Sequence, residues 1–346
     1  MKQPLVCVCV PCFNSEETIA YTIETIQNQT YKYIEIHIFD NASTDKTIEI
    51  IQSISDSRIQ IHLAEFTGTS ESNFNRCLSL GRGEYTTIFH ADDLYAVDII
   101  DQEVQQLEQN KNAGGILTFA TQIDSYGKRG KTYLAPKSLH MEEGETRAFD
   151  VVSLFKALLK HENFLFTPSA MLRTSVCTQV IKEWNLTEFG SSADLDVWLR
   201  VAAYNNILLL NSPLLFYRIS EIQLTASYRK KRNVKSDAHH VLDAWLNKKE
   251  IKQHITKVDV TNYQKLQRQD VLGCVLNAIN NDELLYAKKM WVQEGYFSII
   301  KGFFQLRTVR DLKFLVLSSI FKLILFPVIG VFFKKIFIGY LSKLRI

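Results

Sequence analysis

Two adjacent carboxylates, Asp92 and Asp93, follow a β-favouring run in YTTIFHADDLY, residues 85–95, and no basic residue stands between the strand and the pair. Neighbouring acids at a strand end repel each other and lack donors of their own, so a divalent cation or sugar hydroxyls would relieve what the fold leaves unpaired. Taken alone, the pair equally suits a solvated turn ahead of the helix that AVDIIDQEVQQLEQ predicts, because Asp is favoured in turns whatever the chemistry. The side chains that the fold delivers to the same place decide between these readings.

The preceding segments supply that context. PLVCVCVPCFN reads as a buried strand ending at Pro11; NSEETIAYTIETIQNQ then changes period and sets Ile19, Ile23 and Ile26 on one helical face. Asn14 suits the N-cap of that helix, with Glu17 completing a capping box. YIEIHIFD alternates and stops at Asp40, ASTDKTIEIIQSI opens a second helix, and RIQIHL gives a third strand. A further helix and strand, ESNFNRCLSLGRGEYTTIF, lead to the acidic pair. This alternation predicts an α/β fold with a mostly parallel sheet, whose ligands sit beyond the carboxyl ends of the strands. Asn14, Asp40, Asp92 and Asp93 all fall at such ends.

With 346 residues, 46% hydrophobic and 22% charged, the chain has the composition of a folded globular protein. Its net charge of +3 is uneven: residues 301–346 carry nine Lys and Arg against Asp311 alone, which leaves the remainder acidic. Six cysteines are sparse and no secretory signal precedes them, so a reducing cytosol is expected. Cys7, Cys9 and Cys12 read as core residues rather than metal ligands, since Cys7 and Cys9 share a strand face and no second Cys/His cluster follows. The segment 124–150 is polar, turn-rich and basic in GKRGK, and reads as a loop over the site. No Gly-x-Gly-x-x-Gly follows the first strand and no complete P-loop is present, since Gly130-Lys131-Thr132 has Ser125 where the motif needs its first glycine, which excludes the usual dinucleotide and P-loop enzymes.

VCVPCFNSEETIAYTIETIQNQTYKYIEIHIFDNASTDKTIEII, followed by NFNRCLSLGRGEYTTIFHADD, resembles the family-2 glycosyltransferases, closely over the first 95 residues and more weakly to about residue 220. That resemblance implies a GT-A fold and an inverting enzyme that uses a nucleotide-diphosphate sugar donor and Mn or Mg. By position, it implies that Pro11 and Asn14 wall the nucleotide, Asp40 bonds the base, Asp92 faces ribose or donor sugar, and Asp93 holds the metal. His90, as in a His-x-Asp-Asp subset, is either a rim residue of the site or a packed core histidine. DNASTD stands where the family commonly has Asp-Asp-Gly-Ser-Thr-Asp. Where many members have Ala-Arg-Asn, this chain has Asn73, Phe74 and Asn75; Asn75 keeps its assignment to the nucleotide site, while Arg76 reads as a surface helix position. ENFLFTPSAMLRTSV resembles the strand bordering the acceptor, and SSADLDVWLRVAAY the acidic motif whose second acid, here Asp194, is the base. Asp196 is a rival for that role. Arg218, in LLFYRISEIQLTASY, matches an arginine that approaches phosphate, and Ser220 stands near a common histidine.

The implied organisation is a catalytic domain over 1–228, a helical extension over 229–300, and a basic, hydrophobic tail over 301–346. The tail contains FLVLSSIFKLILFPVIGVFF, residues 314–333, long enough to span a bilayer but broken by Lys322 and Pro327. A helix lying in the interface is therefore expected, its cations on anionic lipid, at the cytoplasmic side of the membrane. The partners expected are a nucleotide-sugar donor and a saccharide or lipid-linked acceptor. Nucleic acid is not among them, because no stacking motif accompanies RKKRNVK. A non-catalytic scaffold or carbohydrate-binding module at the membrane is the competing reading; hydrolysis of nucleotide sugar separates the two.

Overall fold

The computed structural model describes residues 3–219, 232, 234–281, 283, 285–287 and 289. The first half builds β1 (Val6–Cys12), α1 (Ile19–Gln27), β2 (Ile34–Asp40), α2 (Thr47–Ser53), β3 (Ile59–Leu63), α3 (Ser70–Ser79), β4 (Tyr85–Ile88), β5 (Leu94–Tyr95) and α4 (Ile99–Gln109). Then come β6 (Ala113–Ile123), β7 (Arg129–Thr132), β8 (Thr146–Phe149), α5 (Val151–His161), β9 (Met171–Arg173), α6 (Ala193–Tyr204), β10 (Asn206–Arg218), α7 (Asp237–Leu246) and α8 (Lys257–Asn280).

The strands form one mixed sheet of order β3-β2-β1-β4-β9-β6-β10-β5, with β7 on β6 and β8 on β10. Strands β3, β2, β1 and β4 pair in parallel, as do β6 and β10, while β9 runs antiparallel between β4 and β6. The carboxyl ends of β1, β2, β4, β6 and β10 therefore open on one rim. The apolar stripe Ile19, Ile23 and Ile26 is fully buried with Val8, Val10, Ile36 and Ile38 in one core cluster, and Cys7 and Cys9 fill the opposite face of β1. All six cysteines are free and buried, as the sequence predicts.

Pro11 lies in a central strand without disrupting it. Cys9 accepts the N–H of Phe89, so residues 9 and 11 turn their backbone groups toward β4, and β4 has already ended beside Cys9. The donor that proline lacks would have had no ladder partner there. The end of β1 therefore runs past β4 with β2 alone as its ladder partner, as far as Cys12 opposite Asp40.

Two expectations are corrected. Helix α1 begins at Ile19, and Asn14 lies before it with φ 48°, so Asn14 does not cap the helix. The segment 124–150 is not a plain loop but carries β7, β8 and a one-turn 3₁₀ helix, Lys137–Leu139.

Chain contacts divide the molecule into two compact units, one holding residues 1–223 with Asp237–Asp259 and the other Leu224–Ser236 with Val260 onward. Within the second unit Arg232 forms an ion pair with Asp270. No helix among the described residues is long and apolar enough to cross a membrane. Ser220, the tail 301–346 and its apolar stretch 314–333 lie outside the described residues.

Candidate active site

The acidic turn forms because β4 ends and the chain doubles back into β5, which pairs with β10. Asp93 is fully buried: one carboxylate oxygen accepts the Arg218 N–H at 2.8 Å, and the other is enclosed without a hydrogen-bond partner. Burial and the charge of Asp92 push the Asp93 carboxyl well above the usual carboxylate range. His90 is held by its backbone, whose N–H donates to the Tyr95 hydroxyl at 2.7 Å; its ring Nε2 is buried and also lacks a partner. Burial keeps this imidazole below the ordinary histidine value, hence neutral and able to offer a lone pair. One ligand atom each from His90, Asp92 and Asp93 lies within 4.8 Å of the others. Two orphaned buried polar atoms beside a second carboxylate fit a divalent cation, because an unpaired buried polar group is costly and a cation satisfies both.

Arg218 is the brace of this turn. It is 6% exposed, and its Nε donates to the Asp92 carbonyl at 2.6 Å while Nη1 reaches the carbonyls of Asp124 and Ser125. Its guanidinium thus ties the acidic turn to the end of β6. The structure places the arginine at the site, turned onto backbone carbonyls.

The first two strand ends are joined across the rim. The Asn14 side-chain oxygen accepts the Thr44 N–H at 2.9 Å while the Asn14 backbone N–H donates to Ser43 Oγ, which fixes the loop after β1 to the loop after β2. Asp40 is buried and accepts from both the N–H and the hydroxyl of Ser43. Asn41, in place of the family's second acid, both donates to and accepts from the Gly68 backbone, at 2.9 and 3.0 Å; a carboxylate could only accept. Ala42 occupies the customary glycine position and still takes a left-handed φ of 59°. That conformation costs a residue with a Cβ about 1–2 kcal/mol.

Helix α3 closes the rim from behind. Asn73 is buried and donates to the Phe39 carbonyl; Arg76 donates to the carbonyls of Asp40 and His62 and to Asn73 Oδ1, at 3.0, 2.8 and 3.0 Å. Arg76 is therefore not the surface residue the sequence suggested but the partner of carbonyls at the ends of β2 and β3. Asn75 turns to the other side, where its Oδ1 accepts the Trp184 N–H at 2.9 Å.

A carboxylate stands apart from this turn at the start of α6. Half-buried Asp194 accepts the Thr167 hydroxyl at 2.5 Å through Oδ2 and the Leu195 N–H at 2.8 Å through Oδ1. The Trp198 indole N–H donates to the same Thr167 oxygen at 3.2 Å, which leaves the threonine hydrogen directed at Asp194. Burial raises the Asp194 carboxyl above the ordinary aspartate value, and the Thr167 bond opposes that rise. Asp196 is 7% exposed, paired with Arg200 at 2.8 Å and accepting the Trp245 indole N–H at 2.8 Å. Both of its oxygens are engaged in packing α6 and α7, so the rival carboxylate is structural.

The profile of glycosyl transferase family 2 matches residues 7–178, spanning the rim from β1 through β9. The chain belongs to glycosyl transferase family 2. UDP-Glc:alpha-D-GlcNAc-diphosphoundecaprenol beta-1,3-glucosyltransferase WfaP of Escherichia coli is 34% identical over 107 residues, 31% of this chain and 43% of that protein. An uncharacterized glycosyltransferase of Methanocaldococcus jannaschii is 26% identical over 255 residues, 72% of this chain and 82% of its own length. The chain spans less than half the length of WfaP. Among solved structures, the mannosyltransferase PcManGT from Pyrobaculum calidifontis in complex with GDP-Man and Mn2+ superposes with a TM-score of 0.54 at 13% identity, over 92% of this chain and 85% of that one. S. aureus TarS 1-349 in complex with UDP gives 0.51 at 16% identity, over 85% and 91%. These likenesses establish the fold as GT-A.

Family membership gives meaning to two departures that touch. Phe74, at the customary arginine position, packs edge-on to His90, at a customary acid position, with ring centres 5.4 Å apart, and Trp184 lies against Phe74 at 5.3 Å. An arginine and a carboxylate are replaced together by an aromatic contact. Sequence reading missed Thr167 and Trp198 as partners of Asp194. The signal available was their placement in the two segments, TPSAMLR and ADLDVWLR, already matched to the acceptor side.

Proposed function

We propose that this glycosyltransferase moves a sugar from a nucleotide-diphosphate donor to a saccharide carried on a lipid, with inversion, in the assembly of a cell-surface polysaccharide or glycolipid. The observation that carries the reading is the convergence of ligand atoms from His90, Asp92 and Asp93 at the strand ends, with Asp194 standing separately on α6. The relatives support the acceptor class, since WfaP is named for transfer to a diphosphoundecaprenol-linked sugar.

In this scheme His90, Asp92 and Asp93 hold Mn or Mg, which when bound supplies positive charge against the departing diphosphate. Pro11, Asn14 and Asp40 wall the nucleotide, with Asp40 on the base and Asp92 also toward the ribose. Arg218 and Asn75 serve as positioning residues, the first holding the acidic turn and the second the loop at Trp184. Asp194 accepts the proton of the acceptor hydroxyl as that oxygen bonds the anomeric carbon; the bond from that carbon to the phosphate oxygen breaks, and the nucleoside diphosphate leaves with the electron pair. Attack from the face opposite the leaving group inverts the anomeric centre. The tail 301–346 holds the enzyme on anionic lipid at the cytoplasmic face, near its acceptor.

The test is incubation of the full chain with Mn and a panel of UDP, GDP and dTDP sugars, using a diphospholipid-linked N-acetylglucosamine as acceptor. Mass spectrometry is expected to show one added sugar, and NMR an anomeric configuration opposite to the donor's. Turnover of no nucleotide sugar in the panel contradicts the reading and favours a sugar-binding scaffold.

A further inference from the structure

Helix α7 contributes no group to the proposed chemistry, yet it grips the helix that carries the base. Residues Asp237–Asp259 belong to the same compact unit as residues 1–223, and the family profile ends at residue 178, before both helices. The grip begins at Gly190, which opens the one-turn 3₁₀ helix Gly190–Ser192 leading into α6. Gly190 takes φ 51° and ψ −135°, a conformation that a residue with a Cβ rarely adopts. Its bare Cα also leaves the room that Asp237 fills, since a Cβ there would stand 2.5 Å from Asp237 Oδ2. From that position the same Oδ2 accepts the Ser191 N–H at 2.8 Å and the Ser191 hydroxyl at 2.7 Å.

A second contact lies on the other side of Asp194. The buried Trp245 of α7 donates its indole N–H to Asp196 at 2.8 Å. Helix α7 thus holds the chain at residues 191 and 196, with Asp194 between them. Across from α7, the partner of Asp194 is fixed to the sheet: Thr167 opens the one-turn 3₁₀ helix Thr167–Ser169, whose buried Ser169 hydroxyl accepts the Thr118 N–H of β6 at 3.0 Å. Asp194 and Trp198, both on α6, meet Thr167 there. The residue before α6, Ser192, gives the helix no side-chain cap, so the contact at Ser191 restrains a helix start that would otherwise fray.

We propose that Asp237 is a positioning residue for the base, an inference that rests on the transferase reading above. By pinning Ser191 it keeps the first turn of α6 in place and Asp194 against Thr167, where the acceptor hydroxyl must meet the carboxylate. Misplacing a reacting group by about 1 Å can cost a hundredfold in rate. A contact that touches no substrate therefore governs turnover, while the donor side, built on β1, β2 and the acidic turn, stays as it was.

The full chain carrying Asp237→Leu or Asp237→Asn is compared with the wild type in two measurements. The first needs no turnover: the indole N–H resonance of Trp198 in isotope-labelled protein, identified by its loss in Trp198→Phe, reports the bond to Thr167. The second is kcat for transfer to a diphospholipid-linked N-acetylglucosamine, with affinity for the donor nucleotide in Mn measured alongside. Asp237→Leu is expected to shift the Trp198 resonance, and to lower kcat about ten- to a hundredfold with nucleotide affinity within about twofold of the wild type. Asp237→Asn, whose amide oxygen accepts from both Ser191 donors, is expected to recover the resonance and most of the rate. A wild-type resonance and kcat in Asp237→Leu overturn the assignment, and so does an equal loss in Asp237→Asn, which would make charge rather than the bond to Ser191 the cause. If Asp237→Leu does not fold, Ser191→Ala decides: it removes the hydroxyl bond alone and is expected to lower kcat about threefold with the Trp198 resonance moved, and wild-type values overturn the proposal. A Trp198 resonance that depends on Asp237 in a protein that turns over no nucleotide sugar would sink the transferase reading and leave the grip of α7 on α6 standing.

Discussion

Replacing Thr167 with valine removes the hydroxyl that donates to Asp194 while keeping the shape of the side chain. In the structure that hydroxyl gives its hydrogen to Asp194 at 2.5 Å and accepts from Trp198, so the bond to the carboxylate has a fixed direction. A hydrogen bond to a charged acceptor contributes about 1.5–3 kcal/mol. The bond favours the charged carboxylate, against a burial that disfavours it. Its loss therefore raises the proton affinity of Asp194 further, and the acid limb of activity, on which the base must lose its proton, moves to higher pH. At about 1.4 kcal/mol per factor of ten, transfer on that limb falls about ten- to a hundredfold and recovers as pH rises. Initial rates of transfer from pH 5 to pH 9 measure this, with Thr167→Ser as the variant that keeps the hydroxyl and the wild-type profile. An acid limb at the wild-type position in Thr167→Val, or a deficit equal at every pH, would refute the claim that Thr167 sets the ionisation of the base.

Asp194→Asn is expected to keep nucleotide affinity while losing on the order of a hundredfold or more in transfer. Asp196→Asn is expected instead to lose stability, by about 1–3 kcal/mol in denaturant melts, because it weakens the buried links to Arg200 and Trp245; the reverse pattern would exchange their roles. Glu103 is fully buried with neither carboxylate oxygen paired, and burial pushes its carboxyl well above the usual range. A carboxyl raised in the folded state stabilises least once pH exceeds its unfolded value, about 4.3. Glu103→Leu should thus raise stability by about 1–3 kcal/mol at pH 8, with a smaller gain at pH 4, in parallel thermal melts. Deleting residues 301–346 is expected to move the protein from the membrane pellet to the supernatant in flotation assays; retention on anionic vesicles would place the membrane contact elsewhere.

Strand and helix periods were legible from the start because burial imposes them: Ile19, Ile23 and Ile26 on α1 and the alternation through Ile34, Ile36 and Ile38 face the core. The same logic placed Asp40, Asp92 and Asp93 on one rim, since parallel strands bring their carboxyl ends together. Direction of side chains within that rim was not legible. Arg76 and Arg218 satisfy backbone carbonyls, a need created only once the strand ends meet, and no local pattern encodes it. Asn14 shows the same limit, for its composition suits a helix cap while tertiary contact with Ser43 and Thr44 takes it elsewhere. The segment 124–150 reads as loop because β7 and β8 are short edge strands whose residues, Phe149 apart, are exposed or half-buried and carry almost no alternation.

The central claim is that the turn at residues 90–93 holds a cation on which use of a nucleotide-sugar donor depends. The direct measurement is nucleotide release from the accepted donor by wild type and Asp93→Asn, each shown folded by circular dichroism, with Mn and with excess chelator. The account predicts release by the wild type that chelator abolishes and Mn restores, and nearly none by Asp93→Asn under any condition, because a neutral amide cannot hold a hard cation against a diphosphate. Full release by folded Asp93→Asn, or by the wild type in excess chelator, would contradict it.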